Sequence, residues 1–240
     1  MRFLAALAFI TSIPINRAFT PNQVGRSLAF FPVIGLIVGA ILVALDFALS
    51  RVFPALVVNA LLIGASIAVT GALHLDGWMD FCDAMFGHKT LDARLRIMRE
   101  PQVGAFGVAG ALIVVLIKFT ALASLTGSAR PIALIVVPLI ARWAIAYAVF
   151  VYPYARDAGK GSAFKEHSRK HDLWIATIIA FVIALALAQV ISAVMLLLAW
   201  LIVLTVARFS IRRIEGLTGD VYGALNEIIE TTLWVFLTTQ

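Results

Sequence analysis

Three aspartates, Asp76, Asp80 and Asp83, are the residues of this 240-residue chain best placed for metal chemistry. They follow a long apolar stretch in the pattern D-G-x-x-D-x-x-D. At about 100° per residue on an α-helix, the three side chains fall within about 60° of one another. Carboxylates at that density repel one another unless a cation neutralises them. We therefore predict a site for a hard divalent cation, Mg²⁺, Mn²⁺ or Ca²⁺, whose preferred ligands are oxygen atoms. The alternative, an acidic helix end facing solvent, is disfavoured by apolar neighbours such as Trp78 and Met79.

A second acidic cluster begins at Thr218 and contains Asp220 and Glu227. These two acids are seven residues apart and therefore share one helical face. Thr218 is a plausible N-cap for their helix, and the small residue Gly223 leaves room for close packing or for a ligand. The pattern alone is equally typical of a glycine-rich turn into an amphipathic helix. A location on the same membrane face as the first cluster favours a shared site.

Several basic and polar residues elsewhere in the chain could have either a functional or a structural role. His74 either contacts an aspartate or a phosphate, or simply packs at the end of an apolar span. Lys118 and Arg142 lie within apolar stretches, where a charge is costly and must face a polar interior. Lys118 is read as structural, whereas Arg142 either forms a structural ion pair or borders an active cavity. The segment 154–164 combines basic residues with glycines, which suits phosphate binding but is also typical of a cytoplasmic loop.

The composition identifies the elements that must position these residues. Hydrophobic residues make up 62% of the chain and charged residues 13%, with a mean hydropathy of +1.00. These values exclude an ordinary soluble globule and a disordered chain. A single cysteine, Cys82, excludes a disulfide framework and a cysteine-based zinc site. We predict an all-α, polytopic membrane helical bundle that forms one domain over residues 1–240.

Apolar stretches long enough to cross a bilayer predict about six to seven transmembrane helices. The run 173–207 carries no charge and is too long for one crossing, so we expect two helices that turn near 189–192. The segment 221–240 is read as a seventh span or as a partly buried helix. The remaining predicted spans are 27–45, 52–75, 101–130 and 131–155.

The distribution of Lys and Arg predicts the orientation. With the amino terminus in the cytoplasm, only Arg51 and Arg130 among the loop cations fall on the opposite side. The long hydrophilic stretches 76–100, 153–172 and 208–220 then all lie at the cytoplasmic face. We therefore expect a multi-pass protein of the cell inner membrane with its active site at that face. The formal net charge of +6 is explained by these loops, and no nucleic-acid partner is expected.

These motifs together resemble cobalamin synthase, the adenosylcobinamide-GDP ribazoletransferase family. The resemblance covers nearly the whole chain in order. It departs at Glu100-Pro101, where the family usually has Asp followed by Ser or Pro, and at Ala84, where a Gly often follows the third Asp. The blocks that carry it are Phe31-Pro32-x-x-Gly35, His74-Leu75-Asp76-Gly77-x-x-Asp80-x-x-Asp83, Gly104-x-x-Gly107, Arg142, Tyr154-Ala155-Arg156 with Gly159-x-Gly161-x-x-Phe164, and Thr218-Gly219-Asp220-x-x-Gly223-Ala224-x-x-Glu227.

The resemblance implies a membrane-bound, Mg²⁺-dependent transferase that joins adenosylcobinamide-GDP to alpha-ribazole or its 5′-phosphate and releases GMP. It implies that Asp76, Asp80 and Asp83 hold Mg²⁺ on the diphosphate and that Asp220 completes the metal shell. Either Asp83 or Glu227 takes the proton of the attacking hydroxyl. The residues expected to contact the substrates are His74, Arg142, Arg156, Gly159, Lys160, Gly161 and Thr218. The expected partners are these two substrates and the lipid bilayer, and a homo-oligomer is compatible with the sequence.

Two other functions fit the sequence less well. A CDP-alcohol phosphotransferase of phospholipid synthesis has the motif D-x-x-D-G-x-x-A-R with two further aspartates close behind, whereas here the second acidic cluster lies about 140 residues away. A small-solute transporter would use Asp46, Lys118 and Arg142 as intramembrane charges. It would also show internal repeats and substrate residues at the bilayer midplane, and we find neither pattern.

Overall fold

The computed structural model describes residues 1–87, 89–156 and 161–240. The described residues contain no β-strand, and a single parallel bridge joins Tyr154 to Leu217. The prediction of an all-α fold is therefore confirmed. The helices are α1 (Arg2–Ile10), α2 (Pro21–Gly25), a 3-10 helix (Arg26–Phe30), α3 (Phe31–Leu49), α4 (Ala55–Val69), α5 (Leu73–Met85), α6 (Leu91–Ile97), α7 (Ala105–Ser124), α8 (Ala129–Val151), α9 (Ser162–His167), α10 (Lys170–Ala188), α11 (Ile191–Ile214) and α12 (Gly219–Leu237).

Five helical segments within the described residues are long and apolar enough to cross a membrane, and α4 with α5 makes a sixth if the bent pair is one span. The multi-pass membrane architecture is thus confirmed with five to six candidate spans. α12 is not among them, because it carries three acids, Asp220, Glu227 and Glu230, and most of its residues are buried inside the bundle. Of the two readings of 221–240, the structure gives the buried helix. The cytoplasmic amino terminus stays a prediction.

The predicted span 52–75 is wrong at its end, because the helix stops at Val69. Gly71 and Ala72 both adopt left-handed backbone conformations, with φ of 59° and 58°. The chain then turns by 88° into α5. This bend turns the segment that carries Asp76 and Asp80 away from the direction of α4 and lays it against α12.

The predicted division of the run 173–207 is confirmed. α10 ends at Ala188 and α11 begins at Ile191, with Gln189 between them at a φ of 48°. The turn lies within the predicted interval. Because α10 and α11 pack against each other, the chain returns toward the end of the bundle from which α10 started before it enters α12.

α8 is the central helix of the bundle, and its residues from Ala133 to Val149 are almost all buried. A helix that is apolar all round is expected at such a position. It packs most extensively on α3, where Gly35 and Gly39 lie directly against its backbone. A Cβ atom at Gly35 would lie 2.3 Å from the carbonyl oxygen of Pro138, so only glycine permits this approach. Small residues four positions apart are typical of close helix pairs in membranes.

Candidate active site

α5 and α12 cross at two glycines, and this crossing joins the two acidic clusters. A Cβ atom at Gly77 would lie 3.2 Å from the Cα of Gly223 and 3.0 Å from the carbonyl oxygen of Asp220. The two helix backbones therefore touch at a point with no side chain between them. Asp76 and Asp80 on α5 and Asp220 on α12 consequently line one cavity. The clusters are about 140 residues apart in sequence, and the structure brings them together as predicted.

The cavity has a volume of about 670 Å³, within the range of about 300–1,000 Å³ usual for small-molecule sites. The carboxylates of Asp76 and Asp80 make no hydrogen bond or ion pair with the described residues. Asp80 also lies within electrostatic range of Asp76, Asp83 and Asp220. Two unpaired carboxylates beside a third leave an excess of negative charge, which attracts a cation.

Asp83 lies outside this cavity, and its carboxylate is used to hold α7. Its oxygens accept hydrogen bonds from the backbone N–H groups of Gly104 and Gly107, at 2.7 and 2.9 Å. The N-terminus of a helix favours a negative charge, so this is a stable position for the carboxylate. A Cβ atom at either position would lie 2.4 Å from an Asp83 oxygen, which explains why both residues are glycine. The predicted helical face is present, but the third aspartate faces α7 and not the cavity.

Asp220 is positioned by the N-terminus of α12 and by the guanidinium of Arg156. The predicted cap is confirmed, since the hydroxyl of Thr218 accepts a hydrogen bond from the N–H of Val221 at 3.3 Å. Thr218 is itself fully buried and does not line the cavity. Burial raises the pKa of the Asp220 carboxyl above its ordinary value, and the nearby guanidinium of Arg156 opposes this rise. The separation of 2.8 Å between these two groups is that of a charge-assisted hydrogen bond.

Arg156 is the cavity residue best suited to contact a phosphate. One terminal nitrogen donates to the carbonyl oxygen of Met98 and to Asp220, whereas Nε is buried without a partner. Its loop is fixed by backbone hydrogen bonds between Ala155 and Leu217 and between Leu217 and Pro153, at 2.8 and 2.9 Å. Arg156 lines the cavity, so this fixed guanidinium places a positive charge at its edge. Gly161 also lines the cavity, and the predicted contacts of Gly159 and Lys160 lie outside the described residues.

A buried ion network lies deeper in the bundle. The ammonium of Lys118 is 2.7 Å from Glu227 and 2.8 Å from Glu230, and Arg142 donates to the other oxygen of Glu230. Glu227 therefore faces Lys118 and does not line the cavity of Asp76 and Asp80. Of the two readings of Arg142, the structure gives the structural ion pair. His74 is buried between this network and the cavity and lines both spaces.

Sequence reasoning missed several residues of these two sites. Glu230 was not singled out, although its spacing of three residues from Glu227 places it on the same helical face. The structure pairs Asp46 with Arg130 at 2.7 Å, and not with Lys118 or Arg142. Tyr222 also lines the cavity, and its buried hydroxyl has no hydrogen-bond partner in the described part of the chain. Its position inside the second cluster was the one available signal.

The described residues could hold a divalent cation only together with ligand atoms from a bound substrate. No three His, Cys, Asp or Glu side chains in the described part of the chain stand close enough to hold an ion by themselves. Mg²⁺ is usually held by one or two carboxylates together with substrate phosphates and water. The oxygen ligands of Asp76, Asp80 and Asp220 suit that arrangement in type and in charge.

Comparison with known proteins gives a consistent result. Residues 2–238 match the family model described as cobalamin-5-phosphate synthase. A protein of Pseudomonas fluorescens named adenosylcobinamide-GDP ribazoletransferase is 38% identical over 97% of this chain and 96% of its own length. Proteins of the same name from Desulforamulus reducens and Acinetobacter baumannii are 33% and 37% identical over 96% of this chain and 92% and 94% of their own lengths. No solved structure matches the chain.

Proposed function

The chain belongs to the cobalamin-5-phosphate synthase family and is a membrane-embedded transferase of cobalamin biosynthesis, and on that premise we propose that it acts on adenosylcobinamide-GDP. The acceptor is alpha-ribazole or its 5′-phosphate, and the products are adenosylcobalamin, or its 5′-phosphate, and GMP. The relatives carry this reaction in their name. The observation that supports the reaction in this chain is the cavity that gathers Asp76, Asp80, Asp220 and Arg156.

The diphosphate of the donor is expected to bind between the carboxylates and Arg156. Asp76, Asp80 and Asp220 are the residues that would hold Mg²⁺ there, since the carboxylates of Asp76 and Asp80 have no partner among the described residues. When bound, Mg²⁺ supplies positive charge that stabilises the leaving phosphate. The guanidinium of Arg156 lines the cavity and supplies positive charge and N–H donors suited to a phosphate. Asp220 holds the guanidinium in place, so the same contact orients both the cation site and the phosphate site.

Transfer requires a hydroxyl oxygen of the acceptor to attack the phosphorus on the corrinoid side of the diphosphate. The new P–O bond forms while the bond to GMP breaks, and GMP leaves with the electron pair. The hydroxyl proton passes to a carboxylate oxygen of the cavity, Asp76 or Asp80. Neither Asp83 nor Glu227 is as well placed for this step, because the first accepts two backbone hydrogen bonds and the second pairs with Lys118.

The location of the reaction follows from the topology. The cavity is lined by residues of the segments 76–100 and 153–172, among them Asp76 and Arg156, and we expect it at the end of the bundle where these segments lie. By the distribution of Lys and Arg, that end is the cytoplasmic face of the inner membrane. Both substrates carry phosphate or ribose groups, and access from the cytoplasm avoids moving them across the bilayer.

The assay that tests the function uses purified protein in lipid nanodiscs. We expect GMP to form when adenosylcobinamide-GDP, alpha-ribazole and Mg²⁺ are all present, and a cobalamin product to appear in equal amount by mass spectrometry. No CMP should form from CDP-diacylglycerol and an alcohol acceptor. Formation of CMP without GMP would replace the proposal with a phospholipid-synthesis function.

A further inference from the structure

The cavity has an aromatic end whose residues take no part in the proposed transfer of phosphate. Phe9, Phe31 and Phe164 line it, and Phe164 lies at the centre of the three rings. Its ring centroid is 4.5 Å from that of Phe9 and 5.5 Å from that of Phe31, both with edge-to-face geometry. The walls are completed by aliphatic side chains that include Ile145 and Val149 of α8. Most of these side chains are almost fully buried, and the part of each that lines the cavity is apolar.

The aromatic end is held rigidly. Lys165, the residue after Phe164, donates to the carbonyl oxygens of Phe150 and Tyr152 at 3.0 and 2.7 Å. These carbonyls lie at the C-terminus of α8, where a cation is favourable. α9, the helix that carries Phe164, is thus fixed to the central helix. A preformed aromatic wall binds a flat ligand without the loss of side-chain entropy that ordering the wall would cost.

A buried polar group in the same cavity supplies an independent sign of a ligand. Tyr222 lines the cavity, and its hydroxyl is buried and has no hydrogen-bond partner among the described residues. A buried hydroxyl without a partner costs roughly 1–3 kcal/mol. A ligand with one acceptor atom at that position would remove this cost.

We propose that the aromatic end of the cavity binds the planar base of the acceptor nucleoside, with the Tyr222 hydroxyl donating to the free ring nitrogen of that base. This subsite rests on the proposed transfer to ribazole. The base of alpha-ribazole is a methylated benzimidazole, which is flat and apolar and has one unsubstituted ring nitrogen as its acceptor. Guanine fits less well, because its several donors and acceptors find no partners among phenylalanines and aliphatic side chains. The amide groups at the rim of the corrinoid meet the same objection.

The subsite is tested with two matched ribosides on the full-length protein in nanodiscs. The probes are alpha-ribazole and the corresponding indole riboside, in which a C–H group replaces the free ring nitrogen. Binding is measured by calorimetry without the donor, so that it is read independently of turnover. Wild-type protein should bind alpha-ribazole about tenfold more tightly than the indole riboside, the size expected of one neutral hydrogen bond.

Two conservative variants and one control complete the test. Tyr222→Phe should bind both ribosides equally, and Phe164→Leu should weaken both by about three- to tenfold, the usual size of an aromatic contact. Tyr147→Phe removes a hydroxyl that accepts a hydrogen bond from Trp200 outside the cavity, and it should behave as wild type. The KM for adenosylcobinamide-GDP should stay within about twofold in all three variants.

The subsite is overturned if Tyr222→Phe keeps the wild-type preference, or if Phe164→Leu binds both ribosides as wild type does. It is also overturned if the variants change the KM of the donor and not that of the acceptor. Absence of GMP formation in wild-type protein would instead refute the transfer reaction. In that case the calorimetric preference for alpha-ribazole still decides whether the subsite exists.

Discussion

The contact between Gly77 and Gly223 makes Gly77→Ala a sensitive test of how the two acidic clusters are joined. The added methyl carbon would lie 3.2 Å from the Cα of Gly223, 3.1 Å from the Cα of Asp220 and 3.0 Å from the Asp220 carbonyl oxygen. All three atoms belong to the backbone of α12, so no side chain can rotate out of the way. The helices themselves must separate.

The size of the effect follows from these distances. Non-bonded carbon atoms pack at about 3.5–4.0 Å, so α5 and α12 must move apart by about 0.5 Å. Overpacking of this kind costs roughly 1–3 kcal/mol of folding free energy. A displacement of 1 Å between reacting groups can cost about 100-fold in rate, and half of that distance suggests a loss of about tenfold. The separation moves Asp76 and Asp80 away from Asp220 without removing any functional group.

The assay compares GMP release and thermal unfolding of Gly77→Ala with those of Gly64→Ala. Gly64 is a matched control, because it lies within α4 and a methyl group there meets no atom within 4 Å. We expect about a tenfold lower kcat and a lower Tm for Gly77→Ala, and wild-type behaviour for Gly64→Ala. If Gly77→Ala has wild-type kcat and Tm, the close crossing of α5 and α12 does not assemble the site.

Three further predictions concern the carboxylates, the buried network and the metal. Asp80→Asn and Asp220→Asn should each lower kcat by at least about 100-fold in folded protein, whereas Asp92→Asn, an exposed acid on α6, should not; equal activity of all three variants would place the chemistry elsewhere. Lys118→Met should destabilise the protein by about 3–5 kcal/mol, since it leaves two buried carboxylates short of a partner. The double variant Lys118→Met/Glu227→Gln should recover part of that loss in denaturant unfolding, and no recovery would contradict the pairing. Chelation should abolish GMP release and Mg²⁺ or Mn²⁺ should restore it, whereas activity in metal-free protein would exclude the cation.

Much of the site was predictable because helical periodicity acts locally. The spacing of Asp76 and Asp80 and the cap at Thr218 are properties of single helices, and both are present in the structure. The charge-free run 173–207 required two helices by its length alone. These features depend on neighbours within a few residues, which the sequence displays directly.

The remaining features depend on contacts between distant segments. Asp83 is held by the N–H groups of Gly104 and Gly107, and the two glycines do not indicate which distant side chain approaches them. The 88° bend after Val69 depends on left-handed conformations at Gly71 and Ala72, and alanine gives no warning of such a conformation.

The partners of the buried charges could not be predicted from the sequence for a related reason. Lys118 and Arg142 were expected to need acidic partners, but every acid in a membrane bundle is a candidate until the helices are packed. Glu230 became the shared partner only because α7, α8 and α12 meet in the core. The buried ion pair then identified the role of Arg142 as structural, whereas no local pattern had distinguished this role from one at the border of an active cavity.

The most direct test of the central claim is the distance between a bound cation and the donor diphosphate. Mn²⁺ replaces Mg²⁺ in purified protein with adenosylcobinamide-GDP, and electron–nuclear double resonance measures its coupling to phosphorus. We predict strong phosphorus coupling in wild-type protein and in Asp92→Asn, and its loss in the double variant Asp76→Asn/Asp80→Asn. Unchanged coupling in that double variant would contradict the assignment of the cation to the cavity between α5 and α12.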